Sequence, residues 1–126
     1  MTESQEQKCL IKWTQQPSIR EKFPCLALLH HIPNGGKRSA IEGKHLKEMG
    51  VKSCVPDLCL PVPNAKYHGL YIEMKVGKNT TSDSQEWWIE HLRKQGYKVE
   101  VCYGWEKAVA ELLEYLSEVY DGHEID

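Results

Sequence analysis

Two acids and a lysine in this chain have the types and spacing that could do chemistry. Asp57 lies in "VPDLCL", Glu73 and Lys75 in "GLYIEMK", and the residues around them are largely the apolar types that a β-strand buries. A hairpin folded about Ala65 would set positions 57 and 73 directly opposite each other, with Cβ atoms about 5 Å apart, where two like charges are destabilising unless something neutralises them. A divalent cation does so. Because strand side chains alternate, Glu73 and Lys75 share the face of Asp57 while Met74 points the other way, into a core. Carboxylate oxygens suit Mg²⁺ or Mn²⁺, which keep several waters, and an ammonium group beside such a water can orient it for attack on phosphorus. On spacing alone the set is weak: E-x-K triplets are common on half-exposed strands as solvated charge, and a one-residue bulge would undo the register.

The rest of the chain must position these groups. With 126 residues, 40% of them apolar, it can bury one modest core, so a single domain over 1–120 is expected, followed by a polar tail at 121–126. Nothing approaches the length of a membrane span, and "MTESQEQK" is too polar for a secretory signal, so a soluble, cytoplasmic protein is expected. The five cysteines are odd in number and contain no CxxC pair, so neither a disulfide framework nor a zinc ribbon is indicated. The net charge of −2 looks wrong for a nucleic-acid partner, yet it is unevenly spread. Residues 34–98 hold eleven Lys or Arg against seven Asp or Glu, and residues 99–126 hold one against eight. The acidity belongs to the C-terminal end.

The periodicity predicts a helix over 2–14 capped by Thr2, with Leu10 and Trp13 on one face and Glu3 and Gln7 one turn apart. "LALLHHI" reads as a buried strand. "SAIE" is a capping box from Ser39 to Glu42 whose helix stops at Gly50 and carries Lys44 and Lys47 outward. Strands follow at 55–62 and 69–76, the first weakened by Pro61 and Pro63. "SDSQ" is a second capping box, Ser82 to Gln85, opening a helix with an apolar stripe of Trp88, Ile89 and Leu92 that ends at Gly96. "YKVEVCY" alternates as a strand, and "WEKAVAELLEYLSEVY" is an amphipathic helix with Val109, Leu112, Leu113 and Leu116 inward.

Other chemical candidates are weaker. "NGGKRS" lacks the spacing of a phosphate-binding loop for nucleotides. Its glycines, Gly36 included, would let backbone amides, Lys37 and Arg38 approach a DNA phosphate, although a plain strand-to-helix turn explains them equally well. His30 and His31 are adjacent, so on a strand they cannot both ligate one ion. Trp88 fits the core stripe, which leaves Trp87 to rest on DNA or a second subunit if it is exposed.

Taken in order, "HIPNGGKRS", "LKEMGV", "VPDLCLPVP", "YHGLYIEMK" and "SDSQEWWIEHLRKQGYKVEVCYGWEKAV" closely resemble the virus-type replication and repair nuclease (VRR-NUC) domain. That domain is a branch of the PD-(D/E)xK superfamily, and the resemblance runs from about Thr2 to Leu116. It implies an α/β fold with a restriction-endonuclease-like core: a mixed central β-sheet flanked by helices in the order αβαββαβα. It places the family's acidic pair on Asp57 and Glu73, its lysine on Lys75, and a metal-facing carbonyl on Met74. The family's helix-borne acid and the glutamine one turn on match Glu3 and Gln7, with Glu6 a rival for the acid. Its later glutamine matches Gln85, which could equally be only a cap. The implied activity is Mg²⁺- or Mn²⁺-dependent endonucleolytic hydrolysis of DNA, with Lys37, Arg38, Gly36 and Lys47 as DNA contacts. Family members built of this domain alone resemble homodimeric phage or prophage resolvases, working in the bacterial cytoplasm on four-way (Holliday) junctions. Flapped or forked repair intermediates are the alternative substrate, and a non-catalytic DNA-binding or protein-interaction module of the same fold is the alternative class.

Overall fold

The computed structural model describes residues 1–33 and 39–120. Helix α1, Glu3–Thr14, opens on a reciprocal cap in which the Thr2 hydroxyl accepts from the Gln5 N–H and the Gln5 side chain accepts from the Thr2 N–H. Two orphan N–H groups of the first turn are thereby satisfied. Helix α2, Pro17–Lys22, was not legible from periodicity. It is only six residues long and begins on Pro17, whose fixed φ suits a first helical position.

The expected buried strand at "LALLHHI" does not form. Pro24 starts a 3₁₀ turn, Pro24–Leu28, that buries Leu26 and leaves Leu28 exposed, and only His30–His31 pairs, as strand β1. Proline favours the helical turn and cannot donate to a ladder, so the apolar run spends its leucines on a turn instead. Helix α3, Ala40–Glu48, starts where expected, with the Ser39 hydroxyl accepting from the Glu42 N–H. The return bond of the expected box is not made, and Glu42 stays in solvent.

Strand β2, Leu58–Leu60, and strand β3, Leu70–Lys75, form a hairpin shorter than expected, because β2 is closed off by Pro61. Helix α4, Asp83–Lys94, follows and ends ahead of Gly96, which takes a φ of +91° that glycine adopts without strain. Strand β4, Lys98–Tyr103, and helix α5, Trp105–Tyr120, complete the chain. The sheet order is β1-β2-β3-β4, antiparallel except for the parallel β3/β4 pair joined through α4. It is the mixed sheet flanked by helices that a restriction-endonuclease-like fold requires.

Leu58, Leu60, Leu70, Ile72 and Met74 share one sheet face and join a core with Leu10 of α1 and Leu112 and Leu116 of α5. Each such side chain contributes about 1.5–3 kcal/mol by leaving water. Leu113, expected inward, is 41% exposed, and Tyr115 is buried in its place. The true stripe is Ala108, Leu112, Tyr115 and Leu116, and Leu113 sits 100° beyond Leu112 on the helix. Tyr115 is tolerated inside because its hydroxyl donates to the Val62 carbonyl at 2.5 Å.

Candidate active site

The hairpin register pairs Leu58 with Ile72 and Leu60 with Leu70, and continuing it one step sets Asp57 opposite Glu73. Asp57 itself lies just outside β2, and its carboxylate takes over the ladder: Oδ2 accepts from the Met74 N–H at 2.8 Å. The backbone of Asp57 is also fixed, since its carbonyl accepts from the Ile32 N–H at 2.7 Å. Met74 is fully buried in the core, as alternation demands, and its neighbours Glu73 and Lys75 turn to the opposite face.

On that face Glu73 is 3% and Lys75 7% exposed, although charged groups are seldom so buried unless paired. Burial pushes the Glu73 carboxyl up to about 8, and the charge of Asp57 and a hydrogen bond to it push the same way. Lys75 opposes the rise and Glu3 adds to it. At neutral pH a proton is therefore held in this acidic pair when nothing more positive than Lys75 is near.

Helix α4 lies over this face, and its Gln85 joins the two groups. The Gln85 side chain donates through Nε2 to Glu73 Oε2 at 3.3 Å and accepts through Oε1 from Lys75 Nζ at 3.1 Å. The same Oε1 accepts from the Ser82 N–H at 2.9 Å, completing the capping box. The cap and the site contact are one side chain, not alternatives.

The two acids of α1 separate cleanly. Glu6 Oε2 accepts from the Trp105 N–H at 2.8 Å, so Glu6 caps α5. Glu3 is held by the Asn79 side-chain amide at 3.2 Å and lies close enough to bear on Glu73. Gln7 reaches His31 Nδ1 at 3.0 Å, and the same nitrogen lies 2.9 Å from the Asp57 carbonyl. One ring nitrogen can accept from Gln7 or donate to that carbonyl, but not both, so the tautomer selects the partner. Asn79 carries no signal in the sequence: it sits in the turn after β3, outside any periodicity, and its backbone carbonyl accepts from the Tyr103 hydroxyl at 2.8 Å.

The remaining expected contacts divide. Lys47 is exposed on α3, whereas Gly36, Lys37 and Arg38 lie outside the described residues. Trp88 is half-buried in the stripe; Trp87 is 54% exposed and stacks on His91 at 4.0 Å between ring centres.

The donor set of Asp57, Glu73 and the Met74 carbonyl consists of hard oxygens, which fit Mg²⁺ or Mn²⁺ and not a soft metal. Among the described residues no three His, Cys, Asp or Glu side chains cluster as a cage. An ion held here would therefore keep several waters, as Mg²⁺ does.

Comparison with known proteins gives one coherent result. The family model described as "VRR-NUC domain" matches residues 1–106. A solved structure titled "VRR_NUC domain protein" superposes with a TM-score of 0.79 at 30% identity, covering 94% of this chain and 90% of that one. No curated protein matches. The fold and this match over most of the chain agree: the chain belongs to the VRR-NUC domain family of nucleases.

Proposed function

We propose that this protein is a metal-dependent DNA endonuclease whose centre is Asp57, Glu73 and Lys75, acting on branched DNA such as four-way junctions. The observation that carries the reading is the acidic pair, buried Glu73 and half-buried Asp57, set face to face by the β2/β3 register with the buried Lys75 ammonium group beside it. Such a pair is costly unless a cation resolves it, and burying Glu73 against a second carboxylate with no use for either would be a poor sequence choice.

A Mg²⁺ or Mn²⁺ ion held by Asp57, Glu73 and the Met74 carbonyl would polarise a phosphodiester and supply an acidic water. The chain's own groups do the rest. Asp57 and Glu73 hold their oxygens on one face because β3 fixes the backbone of Glu73 and the Ile32 N–H holds the carbonyl of Asp57. Lys75 keeps its ammonium beside Glu73, where it can orient a nucleophilic water, and Gln85 fixes the spacing of the two. Glu3, tethered by Asn79, adds a further carboxylate at the edge, directly or through water.

The absence of any cluster of base-reading side chains on the described elements favours DNA shape over sequence. Two copies of a chain of this size, each with one site, would cut the paired strands of a junction symmetrically, which supports a homodimer. The test is cleavage of synthetic linear, flapped, forked and four-way DNA with Mg²⁺, Mn²⁺ or chelator. The expected result is metal-dependent incision of the branched substrates and none with Asp57→Ala. Undiminished cleavage by that variant would end the assignment.

A further inference from the structure

His30 and His31 stand side by side on β1 and have unlike surroundings. The His30 ring closes a local contact, with Nδ1 3.0 Å from the Leu28 carbonyl oxygen. The His31 ring reaches across the chain: its Nδ1 lies 2.9 Å from the carbonyl oxygen of Asp57 and 3.0 Å from the side-chain amide of Gln7 on α1. An exposed residue thus touches both the backbone of one acid of the pair and the helix that carries Glu3.

The two partners decide where the His31 ring keeps its hydrogen. A carbonyl oxygen only accepts, so a bare Nδ1 at 2.9 Å from it would set two lone pairs against each other. A side-chain amide is not bound in that way: turned end for end, it offers Oε1 where Nε2 stood, with no change in shape. Gln7 can therefore adapt to either state of the ring, and the Asp57 carbonyl cannot. A hydrogen on Nδ1, shared between the two oxygens, leaves none of the three groups in conflict.

Asp57 has use for such a hold. It precedes β2, which begins at Leu58, and it faces the like charge of Glu73. Its Oδ2 takes the Met74 N–H at 2.8 Å, and its carbonyl takes the Ile32 N–H at 2.7 Å on one lone pair. The second lone pair of that carbonyl is the one His31 fills. With both occupied, the backbone of Asp57 resists a swing away from Glu73, and groups that orient a ligand residue in this way tune the affinity of the site they support.

We infer that His31 is a positioning residue for the acidic pair: its Nδ1–H, backed by Gln7, locks the Asp57 carbonyl and so keeps the Asp57 carboxylate opposite Glu73. His31 acts through Asp57 and is not itself a ligand. The inference rests on the nuclease reading for what Asp57 holds, and it deepens that reading by naming the group that aims this acid.

The test uses the whole chain with His31→Ala, His31→Asn and His31→Gln, and His30→Ala as control. The amide N–H of an asparagine stands where Nδ1–H stood, whereas that of a glutamine stands nearer the place of Nε2. Mn²⁺ binding without DNA is read from the loss of the free-ion electron paramagnetic resonance signal, and cleavage of a four-way junction is followed against Mg²⁺ concentration. His31→Ala and His31→Gln are expected to weaken Mn²⁺ binding, and to raise the Mg²⁺ needed for half-maximal cleavage, by about ten- to a hundred-fold. His31→Asn is expected to stay within about three-fold of wild type, and His30→Ala to move Mn²⁺ binding by less than about two-fold. Nitrogen NMR of the neutral ring in the metal-free wild type should find the hydrogen on Nδ1. Unchanged Mn²⁺ binding in His31→Ala, equal behaviour of His31→Asn and His31→Gln, or a hydrogen found on Nε2 overturns the inference. If His31→Ala does not fold, the contrast between the other two His31 variants decides alone. A chain that shows this contrast in Mn²⁺ binding yet cuts no DNA removes the nuclease reading and leaves His31 in its role. One that cuts branched DNA equally well in all the His31 variants removes the role and leaves the nuclease.

Discussion

The starts of α3 and α4 look alike in the sequence and differ in the folded chain. Both follow a serine cap with Glu or Gln three residues later, and in both the serine hydroxyl accepts the N–H it should. At α4 the helix packs on β4 with its first turn beside β3, so the third residue, Gln85, closes the box and also joins Glu73 to Lys75. Among the described residues none of α3 is buried against a strand, Glu42 stays solvated, and the box is only half made. A local signal fixes where a helix begins; whether its first turn takes part in a site depends on what the turn is packed against.

The contrast is tested most severely at the group α4 covers. Glu73→Gln removes one oxygen ligand and one buried charge at once. Cleavage should fall by about a thousand-fold, the several kcal/mol that a catalytic metal supplies. The metal-free protein, however, should become more stable at pH 8. The sign follows from the raised carboxyl: its ordinary value of 4.5 rises to about 8 in the fold, so folding favours the protonated form. That stabilisation is complete below about pH 4.5 and is lost as pH rises to about 8. Thermal melts of the metal-free wild type should therefore decline across that window beyond the trend of the variant, and Mg²⁺ should restore much of the loss. Parallel melting curves for the two proteins without metal would show that Glu73 carries no strain.

The hairpin and its acids were legible because register is a counting problem: side chains alternate strictly, and the loop centre fixes which positions meet. Asp57, Glu73, Met74 and Lys75 take the faces that counting assigns, with no bulge between them. At "LALLHHI" apolar content does not make a strand, because Pro24 sets a 3₁₀ turn. Leu113 lies one residue beyond the edge of its helix's apolar stripe. The tether from Asn79 to Glu3, 76 positions apart in the chain, was invisible for a different reason: no local pattern encodes a contact between a turn and a distant helix. Glu6 could not be told from Glu3 until α5 supplied the N–H that Glu6 caps.

A smaller effect separates the third residues of the two boxes. Gln85→Ala should cost about 1 kcal/mol of stability from the cap. It should also lower cleavage by about ten- to a hundred-fold, because Lys75 and Glu73 lose the side chain that spaces them. Glu42→Ala should change stability by no more than about 0.5 kcal/mol and leave cleavage of a linear duplex as it was. Measuring the metal concentration needed for half-maximal cleavage makes the difference specific. A purely structural Gln85 would change the melting temperature and not that concentration.

The caps themselves affect stability alone, and they separate a packed helix from an unpacked one. Ser82→Ala removes a cap from a helix whose Ile89 is buried against the sheet, so the loss, about 1 kcal/mol, should appear in the global melting transition. Ser39→Ala removes the same bond from a helix that buries nothing. The global transition should hardly move, because α3 can fray without exposing core. The change should appear locally instead, as faster amide exchange over residues 40–48. Equal shifts in melting temperature for the two serine variants would mean that α3 is tied into the cooperative core after all, and the distinction between the two helix starts would fall with it.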